Sequence, residues 1–389
     1  MSAFDERLAA ALDEHRRMNR LRTLEPIESA QGRHISIGHQ RLLNFSSNDY
    51  LGLSAHPALR DTAREALARY GVGSGASALL SGRCQVHADL EQRLAGYLQR
   101  DRALLFSSGY LANLGVISAL VHRHDHIFHD RLNHASLIDA VALTKAKDTR
   151  YPHVDMQALE RALDKCKTSG RWIITDAIFS MDGDIAPLNE LTALAKTYDA
   201  VLIGDDAHGF GVLAEGRGTA AAFGLRQSDL PVQIVTFGKA LGTVGAAVVG
   251  SDALIETLIQ CSRTFIYDTA PPPMIAAATI TALEILVTDG SLQRSLQDNV
   301  QHFRRIASDL PLLPSTTPIQ PIMIGDDSAA LAIAEHLRTA GIYARAIRPP
   351  TVPSGTARLR ICISAAHTLE DLNKLVAILT AALARLSGC

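Results

Sequence analysis

From Ala103 onward the chain repeats one pattern: a short, unbroken apolar run followed by a longer stretch with helical spacing. Residues 104–107 precede a helix-like 111–120, and residues 172–175 precede a helix-like 188–198. Residues 200–203 and 232–237 are further runs of the same kind. A strand reads as continuously apolar only when both its faces are buried, and helices between such strands provide the cover. The pattern predicts an α/β fold with a mostly parallel sheet flanked by helices.

The flanks are organised differently. Residues 1–18 have helical spacing, with Phe4, Leu8, Ala11 and Leu12 on one face, and residues 42–45 read as a short strand. After Gly290 a long helix at 292–310 gives way to Pro311, Pro314, Pro318 and Pro321, which mark a loop and an edge strand. Helices at 329–340 and 369–386 and a strand at 359–363 close the chain. The expected division is an N-terminal arm (1–47), a large domain (48–287) and a smaller C-terminal α/β domain (288–389).

Composition narrows the function. The chain has 389 residues, enough to bury roughly three quarters of its unfolded surface. With 38 Lys+Arg against 40 Asp+Glu the net charge is −2, which argues against a nucleic-acid binder. Aromatic residues at 5% argue against stacking on single strands. No apolar run reaches the ~18 residues of a membrane span, and residues 1–22 lack the apolar segment of a signal peptide. Five cysteines without a CxxC pair fit reduced thiols, so a cytoplasmic protein is expected.

Two local motifs carry little. Gly71-Val-Gly-Ser-Gly75-Ala76 matches the dinucleotide fingerprint formally, but follows a helix-like run where that fingerprint needs a strand. Its glycines fit a tight turn better. His122, His124 and His126 alternate as metal ligands on one strand face would, although a polar loop and solvated strand face is the simpler reading.

The strand ends carry more, since ligands of open α/β sheets bind outside the strands' carboxyl ends. Residues 200–203 run into Asp205 and His208, and residues 232–235 into Thr236 and Lys239. Residues 104–106 lead to Ser107-Ser108-Gly109-Tyr110, which opens a helix, and residues 172–175 lead to Asp176 and Ser180. A lysine at an apolar sheet edge gains a lowered pKa, which suits Schiff-base chemistry. An aspartate facing it would keep a heterocyclic nitrogen protonated, as pyridoxal phosphate requires, and a Ser-Gly helix N-terminus cradles phosphate. Taken singly, Lys239 also reads as a surface lysine, Asp205 as a helix cap and His208 as a core histidine. It is their convergence that points to a site.

The segments FSSNDYLGLS (45–54), SSGYLAN (107–113), RLNHASLIDA (131–140), FSMDGDIAPL (179–188), DDAHGFGVL (205–213), TFGKALG (236–242) and RPPTVPSGTARLRI (348–361) resemble the α-oxoamine synthases, which are fold-type I pyridoxal phosphate enzymes. The likeness runs from about Leu8 to Leu383. It implies pyridoxal 5′-phosphate as cofactor, with Lys239 bonded to it, Asp205 on its ring nitrogen, and His208 and Ser180 about its phenolic oxygen. His134 would stack on the ring, while Gly109, Tyr110 and Thr236 would hold the phosphate end. The catalytic set would be Lys239, His134, Asp205 and His208. Arg360 would take the amino-acid carboxylate, and Arg22, Asn48, His134 and Thr351 would lie near the substrates.

DDAHGFG, TFGKALG and TVPSGTARLRI most resemble the biotin-pathway branch. They imply decarboxylative condensation of L-alanine with a pimeloyl thioester of CoA or acyl carrier protein, in a homodimer with shared sites. A sibling using another amino acid or acyl-CoA is the alternative. Two departures stand out. Asp268 occupies a loop where a carboxylate would repel phosphate, so it is expected to point away, and Gly75-Ala76-Ser77-Ala78 replaces a common Gly-Gly-Ser.

Overall fold

The computed structural model describes residues 2–387. The chain forms two compact units. The smaller takes the chain up to residue 47, residues 181–183, and the chain from residue 296 onward; the larger takes 48–180 and 184–295.

In the smaller unit a helix at Ala3–Arg17 is capped by Ser2, whose hydroxyl accepts from the Asp5 N–H. Its apolar face is exposed, with Phe4 at 60%. Strands β1 (His34–Ile37) and β2 (Gln40–Asn44) follow as an antiparallel pair.

The larger unit holds a seven-stranded sheet: β3 (Arg102–Phe106), β4 (His126–Asp130), β5 (Lys147–Tyr151), β6 (Arg171–Asp176), β7 (Val201–Asp205), β8 (Val232–Thr236) and β9 (Ala246–Gly250). Their spatial order is β3-β9-β8-β7-β6-β4-β5. The ladders from β8 through β5 are parallel, and β9 runs antiparallel to both β3 and β8. Successive side chains alternate between two cores. Ile127, Ile174, Ile203, Ile234 and Val248 pack on one face, while Phe128, Ile173 and Leu202 pack on the other. Burying each contributes roughly 1.5–3 kcal/mol.

Back in the smaller unit are β10 (Ile319–Gly325), β11 (Ile342–Tyr343), β12 (Ala346–Ile347) and β13 (Ala357–Cys362). β11 pairs in parallel with β2, so residues before 47 and after 340 share a sheet, and the other sheet runs β10-β13-β12. Pro321 lies in β10 at a sheet edge, where a missing N–H is tolerated.

The histidine-rich stretch departs from expectation. His122 and His124 are exposed, whereas β4, which begins at His126, is buried throughout. The solvated strand face and the shared metal face both fail for one physical reason: His126 is already used. Its Nε2 bonds Thr149 Oγ1 at 2.8 Å, and its ring stacks on Phe128. The 71–75 glycines follow a helix at Pro57–Tyr70, which Gly71 ends at φ +77.

Candidate active site

Three parallel-strand ends and two helix starts of the larger unit surround a cavity of about 180 Å3. Lys239 comes from the loop joining β8 to β9. That loop is closed by hydrogen bonds from Phe237 N to Gly245 O (2.9 Å) and from Gly242 N to Lys239 O (3.0 Å). Gly242 sits at φ +69, and any Cβ there would lie 2.3 Å from Ser54 N, so only glycine fits.

Asp205 ends β7 and is buried. Its carboxylate accepts from Asn113 Nδ2 at 2.6 Å and from Ala207 N at 2.9 Å. The next residue, Asp206, accepts from Thr219 and Gln233, and burial pushes its carboxyl up to about 7. Neighbouring aspartates thus serve different ends: one faces the cavity, and the other ties down the 218–219 turn.

His134 caps a helix at Ala135–Thr144. Ser136 N donates to its Nδ1 (3.3 Å), and the Ser136 hydroxyl lies 2.7 Å from the same atom. With Nδ1 accepting, the neutral ring carries its proton on Nε2. Burial holds the imidazole below its usual pKa, which favours that neutral form. Asn113 Nδ2 also donates to Ser136 Oγ at 2.8 Å. One chain of hydrogen bonds therefore joins Asp205, Asn113, Ser136 and His134.

Asp176 ends β6 and accepts from His134 N at 2.6 Å. Burial, and then the charge of Asp205, push its carboxyl well up. On the turn after β7, His208 Nδ1 lies 2.7 Å from the Tyr50 hydroxyl, which also donates to Asn48 Oδ1 at 3.3 Å. Tyr110 stands edge-on to His134 and donates to Asp139.

The helix at Gly109–Leu120 begins with Ser108 as its cap, taking the N–H of Leu111. The first-turn N–H groups of Gly109 and Tyr110 are left for an anion. Thr236 ends β8 beside Gly109; its hydroxyl donates to Gly245 O at 3.0 Å.

Gly109, Tyr110, His134, Ser180, Asp205, His208, Thr236 and Lys239 all line this one cavity. Asn48 belongs to the same unit and reaches the site through Tyr50. Arg22, Thr351 and Arg360 belong to the smaller unit. There Arg22 Nη2 donates to Thr351 Oγ1 at 3.2 Å, and Arg360, buried on β13, donates to Cys362 Sγ at 2.8 Å. Asp268 accepts from Ser107 Oγ at 2.5 Å and does not line the cavity. In the departing loop, Ser77 bridges to Thr269, and Ala76 O accepts from Ala270 N.

Asn113 and Ser136 line the cavity as well, although neither follows a strand's apolar run. Both sit inside helices, where a polar residue's direction depends on helix phase. The motifs SSGYLAN and RLNHAS, which contain them, were the available signal. Among the described residues no three histidine, cysteine or acidic side chains gather as a metal would require.

The aminotransferase class I and II family model matches residues 40–379, and the chain belongs to that family. It is 50% identical to 8-amino-7-oxononanoate synthase of Nitrosococcus oceani over 353 residues, 90% of this chain and 94% of the relative. Its branch of the family is that of the 8-amino-7-oxononanoate synthases. The crystal structure of such a synthase from Francisella tularensis has a TM-score of 0.78 at 31% identity, covering 89% of this chain and 99% of that one. Serine palmitoyltransferase from S. paucimobilis, solved with a bound PLP-myriocin aldimine, has a TM-score of 0.93 at 26% identity and full coverage of both chains.

The cofactor of this family is pyridoxal 5′-phosphate, and the donor set suits it. A buried carboxylate, an imidazole, an amine and a helix N-terminus meet in one cavity. Asn113 Oδ1, in the cavity wall, is buried with no partner among the described residues.

Proposed function

We propose that the chain condenses L-alanine with a pimeloyl thioester, with loss of CO2, to give 8-amino-7-oxononanoate for biotin biosynthesis. The observation that carries this reading is the cavity itself, which Lys239, a hydrogen-bonded Asp205 and His134 line together. Pyridoxal phosphate, when bound, supplies the electron sink that makes a carbanion at the amino acid's Cα accessible.

The rest falls to the chain. Lys239 Nζ would hold the cofactor and, as a free amine, would take the proton from alanine Cα. Asp205 holds the proton on the ring nitrogen, with Asn113 fixing the carboxylate. His134 would face the cofactor's ring, and its Nε2 proton would serve the thioester carbonyl oxygen, where negative charge develops. His208, braced by Tyr50, and Ser180 would hold the phenolic oxygen. The N–H groups of Gly109 and Tyr110, with Thr236, receive the phosphate. Arg360 takes the alanine carboxylate, while Arg22, Asn48 and Thr351 meet the acyl substrate. The thioester's carrier, CoA or acyl carrier protein, leaves as a thiol.

We read the working enzyme as a cytoplasmic homodimer. Val72 (71% exposed), Leu80 (81%) and Tyr267 (72%) leave large apolar side chains uncovered on segments joined by the Ser77–Thr269 bridge.

The test is product formation by the cofactor-loaded protein from pimeloyl-CoA with alanine, glycine or serine, read by mass spectrometry. Alanine is expected to be preferred, and Lys239→Ala to abolish product. A preference for glycine or serine would replace this reading with that of a sibling synthase.

A further inference from the structure

The smaller unit carries a groove of about 680 Å3 with an unusual charge balance. Arg16, Arg20, Arg22, Arg338, Arg345 and Arg348 line it, against only Glu25 and Glu335, an excess of four positive charges. Glu25 is already committed to Arg338 and to Arg345, the latter at 3.1 Å, and Arg16 pairs with Asp13 at 2.5 Å. Arg20, Arg22 and Arg348 make no ion pair among the described residues.

Arg348 Nη1 donates to the Asn19 carbonyl, and Arg20 Nη1 reaches only the Met18 sulfur, at 3.5 Å. The Nε atoms of Arg20 and Arg348 are buried with no hydrogen-bond partner. Burial pulls the Arg348 guanidinium below its ordinary pKa; Asp327 opposes this, and the charges of Arg345 and Arg22 add to it. Like charges and orphaned donors gathered in one groove are costly until an anion meets them. Leu21, Leu331 and Ile347 give the same groove an apolar side.

We propose that this groove binds the phosphate groups of the pantetheine carrier that delivers the acyl thioester, with Arg20 and Arg348 donating to them. The inference rests on the proposed condensation, in which Arg22 and Thr351 meet the acyl substrate; both line this groove. A carboxylate at the far end of the acyl chain needs one arginine. Three arginines without an ion pair among the described residues match a carrier with several phosphate charges, and the apolar side suits the pantetheine arm.

Calorimetric titration of the cofactor-loaded protein with CoA, 4′-phosphopantetheine and pantetheine tests this. The native chain should bind CoA more tightly than pantetheine, with an advantage that shrinks as salt rises. The double variant Arg20→Gln/Arg348→Gln should weaken CoA on the order of 10- to 100-fold and leave pantetheine unchanged. The charge-keeping Arg20→Lys/Arg348→Lys should retain most of the affinity. If 4′-phosphopantetheine follows CoA through the series, the single phosphate of a carrier protein's prosthetic arm suffices. If only CoA responds, its nucleotide phosphates are the ligand. Equal binding of CoA and pantetheine by the native chain, or CoA binding indifferent to the glutamine variant, overturns the inference. Failure to condense any thioester sinks the functional reading, whereas condensation with an unchanged KM for pimeloyl-CoA in the glutamine variant sinks the groove alone.

Discussion

Ser136 touches no reacting atom in the proposed chemistry, yet it determines which nitrogen of His134 holds the proton. Its replacement by alanine removes the hydroxyl from Nδ1 and strands the second hydrogen that Asn113 donates. We expect Ser136→Ala to lower kcat roughly tenfold, the kinetic equivalent of one buried hydrogen bond, with KM for alanine nearly unchanged. Losing a donor to the neutral ring also lets the imidazole protonate more readily, so the acid limb of the rate profile should move to higher pH. A profile that stays in place would mean Ser136 only packs. Residues of this kind are hard to find in a sequence. Lys239, Asp205 and His208 follow the ends of apolar runs, so their convergence could be read from the runs. Asn113 and Ser136 lie within helices whose rotation against the sheet is set by tertiary packing.

His153 shows what an element needs beyond its own hydrogen bonds. Its Nδ1 lies 3.0 Å from Asp130, at the end of β4, and its Nε2 lies 2.9 Å from Asp184. Burial opposes its charge, but hydrogen bonds to the two carboxylates overcome this and push its pKa up to about 9. Because the folded pKa is raised, the stabilisation is fully present below the unfolded value of about 6.5 and is lost as pH climbs through 9. Allowing for partial solvent screening it amounts to about 2 kcal/mol. Urea unfolding at pH 6 and pH 10 should show that the His153→Gln deficit is large at the lower pH and nearly absent at the higher. An equal deficit at both would assign the effect to packing against Phe179. Two neighbouring strands were less legible than the apolar runs. β5, with the sequence KDTRY, sits at a sheet edge and is mostly exposed, so it lacks the apolar signature. β4 hides its burial behind histidines whose partners, Thr149 and Asp148, lie on β5.

At the scale of the whole molecule, the α/β class and the mostly parallel sheet were legible because strands buried on both faces must read as apolar. The pairing of β2 with β11 was not, since short strands nearly 300 positions apart leave no periodic trace. The homodimer makes its prediction here. Leu80→Glu puts a charge where a second copy would pack, so sedimentation should show a shift toward monomer while the far-UV spectrum is kept. A variant that sediments like the native chain would remove this patch from the interface.

The antiparallel placement of β9 has a mechanical consequence. Because β9 returns beside β8, Lys239 hangs from a hairpin anchored at both ends in the same sheet, instead of from a long crossover. Phe237, Gly242 and Gly245 latch that hairpin from within, and Ser54 presses against it from outside. The mounting holds still while the lysine's own methylene tether swings. In the proposed reaction the Lys239 amine would leave and return by rotating its own side-chain bonds, with no backbone segment having to open or reclose.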